Sequence, residues 1–287
     1  MLAQQLINGL TLGSTYALVA LGFTLVFGIL GMINFAHGEV FMLGAYMALL
    51  LVTMGKLNIF WSLLGAMVGT AILGMLIERI SFRPLRKVSI LAPLISTIGL
   101  SIFLRSLAQI VFGAESTRFP VSIKTAFYPL GPFQISLLQI VILVISFGLM
   151  GVFQVFIKRT KIGKAMRATS ESLYTAGLVG INVNRIIFFS FAVASALGGV
   201  AGVLLGLNFN AVSPLMGKMV GLKGLTIIIL GGMGNITGAM VGGLFLGFVE
   251  VLSVGYLTSS YRDAVAFALM FLVLLIKPTG LFGRVVK

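Results

Sequence analysis

The chain contains no cysteine, a single histidine and only six acidic residues, against 20 Lys and Arg. Without cysteine there is neither a disulfide nor a thiolate metal site, and the absence is silent about compartment. A metal centre needs several His, Cys or carboxylate ligands converging, and His37 alone does not supply one. No metal, no cofactor and no catalytic residue is therefore expected. The nucleotide-binding loop G-x-x-x-x-G-K-[ST] is also missing: Gly163-Lys164 runs on to Ala165, and Gly217-Lys218 to Met219. The chain is not expected to be an enzyme, and any energised work it does needs an ATPase on a separate polypeptide.

Charge of either sign is scarce. Only 9% of residues are charged, where soluble domains carry roughly 25%. Hydrophobic residues make up 59%, and the mean hydropathy is +1.15. Such a chain cannot cover itself with polar surface, so it belongs in a bilayer. At about 20 apolar residues per helical span, the long runs divide into roughly eight to ten membrane-embedded helices. The alternation of a transmembrane barrel is absent. The expected fold is all-α, a polytopic transmembrane helical bundle with broken or re-entrant segments. With no linker of domain size, residues 1–287 are expected to form one transmembrane domain that includes the polar insert 158–185. The first residues, MLAQQLINGL, lack a basic n-region and are not expected to be a cleaved signal peptide.

The net charge of +14 does not point to nucleic acid. Thirteen of the 20 basic residues fall within Arg79 to Lys87, Lys158 to Arg185 and Lys277 to Lys287. Basic loops between apolar spans follow the positive-inside pattern, and membrane lipid is the partner they imply. With those three stretches inside, nine crossings place the C-terminal tail in the cytoplasm and the N-terminus outside. The Pro-rich stretch GAESTRFPVSIKTAFYPLGPFQ is expected outside. The piece from Met219 to Leu230 is too short to cross alone and is expected to be a re-entrant or half helix. The 36 glycines, among them Gly198-Gly199 with Gly202 and Gly238 with Gly242-Gly243, fit close helix packing.

Two polar interruptions stand out, Asn34 to Glu39 and Gly231 to Gly238. Non-helical backbone at membrane depth is tolerated only where it is buried or lines a watery cavity, and transporters place such breaks along the substrate path. Asn34, His37, Glu39, Gly232 and Asn235 are therefore candidate pathway residues. Ordinary turns between spans, and a packing role for His37, are the alternatives. Glu39 and Glu250, with Arg105 as a possible counter-charge, are the acidic candidates for ion coupling.

The longest polar insert is KRTKIGKAMRATSESLYTAGLVGINVNR, Lys158 to Arg185. It suits one or two helices on the cytoplasmic face. Ser170 is the expected N-cap, with Glu171 in the first turn. Leu173, Ala176, Leu178 and Val179 form a short apolar face, and Gly177 or Gly180 ends the helix. The insert is a handle for a soluble partner or an interfacial helix resting on lipid.

This handle, G-K-A-M-R-A-T-S-E-S-L-Y-T-A-G-L-V-G-I-N from Gly163 to Asn182, resembles the coupling loop of bacterial ABC importer permeases. Arg167-Ala168 with Ala176 and Gly180-Ile181 resembles the variant in the branched-chain amino acid permeases. G-M-I-N-F-A-H-G-E-V-F-M-L-G-A-Y (Gly31 to Tyr46) and G-L-K-G-L-T-I-I-I-L-G-G-M-G-N-I-T-G-A (Gly221 to Ala239) resemble the same branch. Where the wider class has Glu-Ala-Ala, this chain has Glu171-Ser172-Leu173. The resemblance implies a multi-pass permease of the bacterial inner (plasma) membrane for leucine, isoleucine or valine. It implies a second, paralogous permease subunit, two cytoplasmic ATPase subunits and a periplasmic substrate-binding protein. Arg167, Ala168, Glu171, Ala176, Gly180 and Ile181 would then couple to the ATPase. Permeases for urea or short amides, and stand-alone carriers or channels for small neutral solutes, remain alternatives.

Overall fold

A computed structural model of the chain describes residues 2–89, 91–120, 127–130 and 133–283. Part of the Pro-rich external stretch (121–126 and 131–132) and the last basic residues of the tail (284–287) lie outside the described residues. The helices are α1 (Leu2–Leu30), α2 (His37–Thr53), α3 (Ile59–Ile77), α4 (Leu91–Phe112), α5 (Leu137–Arg159), α6 (Lys161–Glu171), α7 (Leu173–Leu178), α8 (Val183–Phe209), α9 (Met216–Gly231), α10 (Ile236–Tyr256) and α11 (Arg262–Ile276). A π turn, Glu78–Phe82, extends α3, and a 3-10 turn, Ser259–Tyr261, leads into α11. Short strands β1 (Thr117–Arg118), β2 (Phe127–Leu130), β3 (Phe133–Ser136) and β4 (Ala211–Val212) form two antiparallel pairs, β1 with β4 and β2 with β3. The all-α bundle expected from composition is what the chain adopts.

Among the described residues, seven helices are long and apolar enough to cross a membrane, α11 counted together with the 3-10 turn that leads into it. At about 1.5 Å per residue, α2 and α9 reach only about 25 Å, short of the roughly 30 Å hydrocarbon core. Each is preceded by an extended stretch, 31–36 or 210–215, that carries the chain part-way into the bundle. The arrangement repeats. A long helix, a re-entrant stretch, a half helix and two further helices occur as α1–α4 and again, inverted, as α8–α11. α1 packs chiefly on α10, as α8 packs chiefly on α3, while α2 leans on α8 and α9 on α1. α5 to α7 join the two halves.

Glycines make the crossings possible. A Cβ on Gly247 would lie 2.2 Å from the Gly13 Cα, so α1 and α10 meet backbone to backbone. On α8, a Cβ at Gly199 would strike Thr70 of α3, and one at Gly202 would strike the Phe41 carbonyl of α2. α1 and α8 are buried along most of their length, whereas α4 and α11 show mostly apolar surface outward, as lipid-facing helices do.

The bundle has two distinct ends. Gly28 abuts Gly234, and Gly232 abuts Gly283, so the close of α1, the α9–α10 turn and the chain's last described residues share one end with the basic loops. Gln4 bonds the backbone of Gln134 in β3 at the other end. The N-terminus therefore lies at the end opposite the basic loops, and the last described residues lie at the same end as those loops.

Candidate functional site

Gly31, at φ +64, turns the chain sharply off the end of α1. The Asn34 side chain accepts from the Ala36 N–H at 3.1 Å, and the His37 N–H donates to the Asn34 carbonyl at 3.2 Å. That local turn starts α2 inside the bundle, at the level of Gly22 on α1. The His37 ring lies against Gly22 and Gly198 and edge-on to Phe23, with centroids 4.6 Å apart. It is buried, and neither ring nitrogen has a hydrogen-bond partner among the described residues. Glu39 occupies the first turn of α2, where a carboxylate meets the helix dipole favourably. One of its oxygens accepts from Ser101 of α4 at 3.0 Å, and the other abuts Gly217. A Cβ on Gly38 would strike the Gly217 carbonyl, so the starts of α2 and α9 touch, backbone against backbone.

The two polar interruptions do not occupy corresponding places in the fold. The inverted partner of 31–36 is 210–215, where β4 pairs with β1 before the chain dips to Met216. Gly231 to Gly238 is instead a tight turn at the cytoplasmic end. Gly232 (φ +99) and Gly234 (φ +81) allow the reversal, and Asn235 caps α10 by accepting from Gly238 N–H at 2.9 Å. Gly232 and Asn235 therefore lie with the handle rather than with Asn34, His37 and Glu39.

A cluster of charge joins α1, α9, α10 and α11. Lys223 Nζ lies 2.9 Å from Glu250 Oε1 and 2.9 Å from Asp263 Oδ1. Arg262 Nε approaches Glu250 at 3.1 Å, and the Tyr16 hydroxyl donates to it at 3.1 Å. Two acids and two bases cancel, which is what allows charge inside an apolar bundle. Glu250 finds its counter-charges in Lys223 and Arg262, not in Arg105. The sequence signal for Lys223 was a lone cation inside the apolar run GLKGLTIIIL.

The handle is built from side-chain caps. Thr160 ends α5 and begins α6, its hydroxyl accepting from Gly163 N–H at 2.9 Å. A Cβ on Gly163 would strike the carbonyls of Phe156 and Ile157, so glycine lets α6 fold back on α5. The cap of the second helix is Ser172, which accepts from Thr175 N–H at 3.2 Å. Ser170, the expected cap, lies inside α6 and donates to the Arg167 carbonyl, and Glu171 is the last residue of α6. The chain kinks two residues later than expected because Ser172 is extended (φ −161) while Ser170 remains helical.

The spacing A-x-x-x-G-I has a geometric cause. Gly180 sits at φ +83, its N–H bonds the Gly177 carbonyl at 3.1 Å, and Ile181 N–H bonds the Ala176 carbonyl at 3.1 Å. These are the two bonds of a Schellman motif, with glycine at its left-handed position. Ala176 is buried, Ala168 and Ile181 are half-buried, and Arg167, Glu171 and Gly180 are exposed. Leu173, Tyr174, Leu178 and Val179 are exposed too, so α7 presents apolar side chains outward. Arg86, from the loop after α3, bonds Asn184 at the start of α8 and ties a second basic loop to the handle. Burial holds the Arg86 guanidinium below its usual range, opposed by the nearby Glu78 carboxylate.

Between the handle and the bundle lies a cavity of about 800 Å³. Arg167, Glu171 and Asn235 all line it, which brings the handle and the α9–α10 turn around one space.

The chain is similar to known proteins over nearly its whole length. It is 43% identical to the high-affinity branched-chain amino acid transport system permease protein LivH of Escherichia coli (strain K12), over 98% of this chain and 95% of that one. It is equally 43% identical to the permease protein BraD of Pseudomonas aeruginosa, with 98% and 95% covered. Among solved structures, PsaBC from Streptococcus pneumoniae in complex with Fab shares the fold, with a TM-score of 0.53, 13% identity, and 95% of this chain and 91% of that one covered. The family model for the permease component of branched-chain amino acid transport systems matches residues 5–274, and the chain belongs to that family.

Proposed function

We propose that the chain is the membrane-spanning permease subunit of a bacterial ABC importer. In this reading a periplasmic binding protein delivers leucine, isoleucine or valine, and ATP hydrolysis on separate subunits drives transport. The observation that carries the proposal is the handle. A six-residue helix, closed by a serine cap at one end and a glycine Schellman turn at the other, presents apolar side chains on the cytoplasmic face. A rigid apolar knob has no use in a stand-alone carrier, whereas an ATPase that must push on the permease needs one. Arg167, Ala168, Glu171, Ala176, Gly180 and Ile181 form or frame that contact, and Arg86 with Asn184 braces its exit. The chain itself supplies no ATPase site.

The touching starts of α2 and α9 are the pivot in this reading. Half helices whose N-termini meet inside the bundle can rock against each other, with Asn34, His37 and Glu39 at the seam. The composition suits the cargo, because a zwitterion with an apolar side chain needs few fixed charges along its way.

Purification from native membrane in mild detergent tests the assembly. A second permease, two ATPases and leucine uptake dependent on binding protein and ATP are expected. Recovery of the chain alone, transporting without ATP, would overturn the proposal, and uptake of urea in place of leucine would overturn its substrate.

A further inference from the structure

Along α4 a polar residue recurs every fourth position: Thr97, Ser101, Arg105 and Gln109. The first half of this stripe is used inside the chain. Thr97 accepts from the Phe35 N–H at 3.3 Å, and Ser101 donates to Glu39 at 3.0 Å. The next step, Arg105, is half-buried and belongs to no ion pair among the described residues. A charge within a membrane helix faces a watery cavity or a partner rather than lipid.

Arg105 stands seven residues, roughly 10 Å, before Phe112, where α4 ends. Helical side chains lean toward their helix's N-terminus. For α4 that is the end of the basic loop Arg79 to Lys87, so Arg105 leans toward Ser101 and away from the nearer membrane face. The stacked rings of Tyr46 and Phe112, centroids 4.1 Å apart, close the α2–α4 seam beyond it.

The six acidic residues allow one counter-charge at this place. Glu78 is taken by Arg83, and Glu250 and Asp263 by Lys223 and Arg262. Glu171 lies in the handle and Glu115 beyond the end of α4. That leaves Glu39, 1% exposed, on whose carboxylate the Arg105 charge acts across the seam. The two do not meet: one Glu39 oxygen is held by Ser101 and the other lies against Gly217. An arginine offers five N–H donors, and here they are open to a carboxylate brought from outside the chain. Glu39 and Arg105 cancel each other in the empty seam. A bare carboxylate would leave a net negative charge in the bilayer, whereas a zwitterion adds one charge of each sign and keeps the seam neutral.

We infer, on the amino-acid reading above, that Arg105 receives the carboxylate of the cargo as it passes along the α2–α4 seam, with Glu39 and Ser101 as positioning residues.

The test uses the complete transporter in liposomes, with binding protein, labelled leucine and ATP, and reads leucine moved per ATP hydrolysed. Arg105→Met is expected to lower that ratio about ten- to a hundredfold, the worth of a hydrogen bond to a charged group. Arg105→Lys, which keeps the cation, retains a ratio well above that of Arg105→Met. The deciding variant is Arg105→Met with Glu39→Gln, which strands no charge and therefore folds whatever becomes of the single change. It is expected to hydrolyse ATP in response to loaded binding protein while its ratio stays as low as that of Arg105→Met. A double variant restored to the wild-type ratio overturns the site, because Arg105 then only neutralises Glu39. Loss of uptake and hydrolysis in step overturns it too, as does loss of the second permease from the purified Arg105→Met complex, which assigns Arg105 to a subunit contact. Absence of leucine uptake by the wild type overturns the substrate assignment, and the site with it.

Discussion

Lys223 Nζ lies 2.9 Å from Glu250 Oε1, between two helices of the inverted half of the bundle. The Glu250 side chain is wholly buried and that of Lys223 is 7% exposed. Buried pairs of this kind gain little over a well-packed apolar pair, but a partner left alone is costly, at about 3–5 kcal/mol. Lys223→Met strands Glu250 with only the half-exposed Arg262 and a tyrosine hydroxyl, so thermal stability in detergent is expected to fall by an amount near the lower bound. The double change Lys223→Met with Glu250→Leu is expected to recover most of it. A double variant no more stable than Lys223→Met would mean that the four-charge cluster is worth more than the sum of its desolvation costs.

A second prediction concerns the seam between half helices. A Cβ on Gly38 would sit 2.3 Å from the Gly217 carbonyl oxygen, which is backbone and cannot swing away. Gly38→Ala is therefore expected to cost at least the 1–3 kcal/mol or so typical of overpacking, and to abolish uptake by prising α2 from α9. Gly31 is the contrast. It stands at φ +64 with open space around it, so Gly31→Ala meets only backbone strain of about 1 kcal/mol. Similar melting curves for the two variants would argue against the close approach.

Much of this architecture was legible in the residues, and the reasons for the misses are local. Hydropathy marked the helices, because it obeys the bilayer rather than the fold. The break at Asn34 was legible because one side chain, accepting from Ala36 N–H, makes the turn. Its inverted partner at 210–215 was not, since what holds it is β4 pairing with β1, 95 residues away in the chain, counted from Thr117↔Val212. Gly232 and Asn235 were marked as pathway residues from their polar break, whereas they build the turn that caps α10, because turn chemistry does not encode depth in the membrane. Lys223 went unremarked because its partners Glu250 and Asp263 are distant in sequence and meet it only after packing.

The handle supplies a third prediction, one that separates two serines two positions apart. Ser172 accepts from Thr175 N–H and starts α7, whereas Ser170 bonds backward within α6. Loss of a serine N-cap costs about 1 kcal/mol. Ser172→Ala should raise amide hydrogen exchange across 173–178 roughly fivefold, the kinetic equivalent of that loss. Ser170→Ala should leave it unchanged. Equal effects would return the cap to Ser170.

Glu171 and Gly180 bear on function more than on stability. Both are exposed, and Gly180 has open space where a side chain would begin. Neither change removes a buried contact, so the protein is expected to insert into the membrane at wild-type levels. Glu171→Arg reverses the charge beside α7. Gly180→Arg forces a bulky L-residue into a left-handed conformation, costing about 1–3 kcal/mol locally, and so loosens the turn that fixes α7. Both are expected to abolish ATP-driven uptake, and Gly180→Asn, which tolerates the left-handed region, to retain a substantial part of it. The measurement pairs uptake with recovery of the ATPase on detergent extraction. Loss of uptake together with loss of ATPase recovery assigns these residues to docking. Wild-type uptake in Glu171→Arg and Gly180→Arg would remove the handle from the mechanism, because a rigid knob that transmits force cannot be both loosened and recharged without consequence.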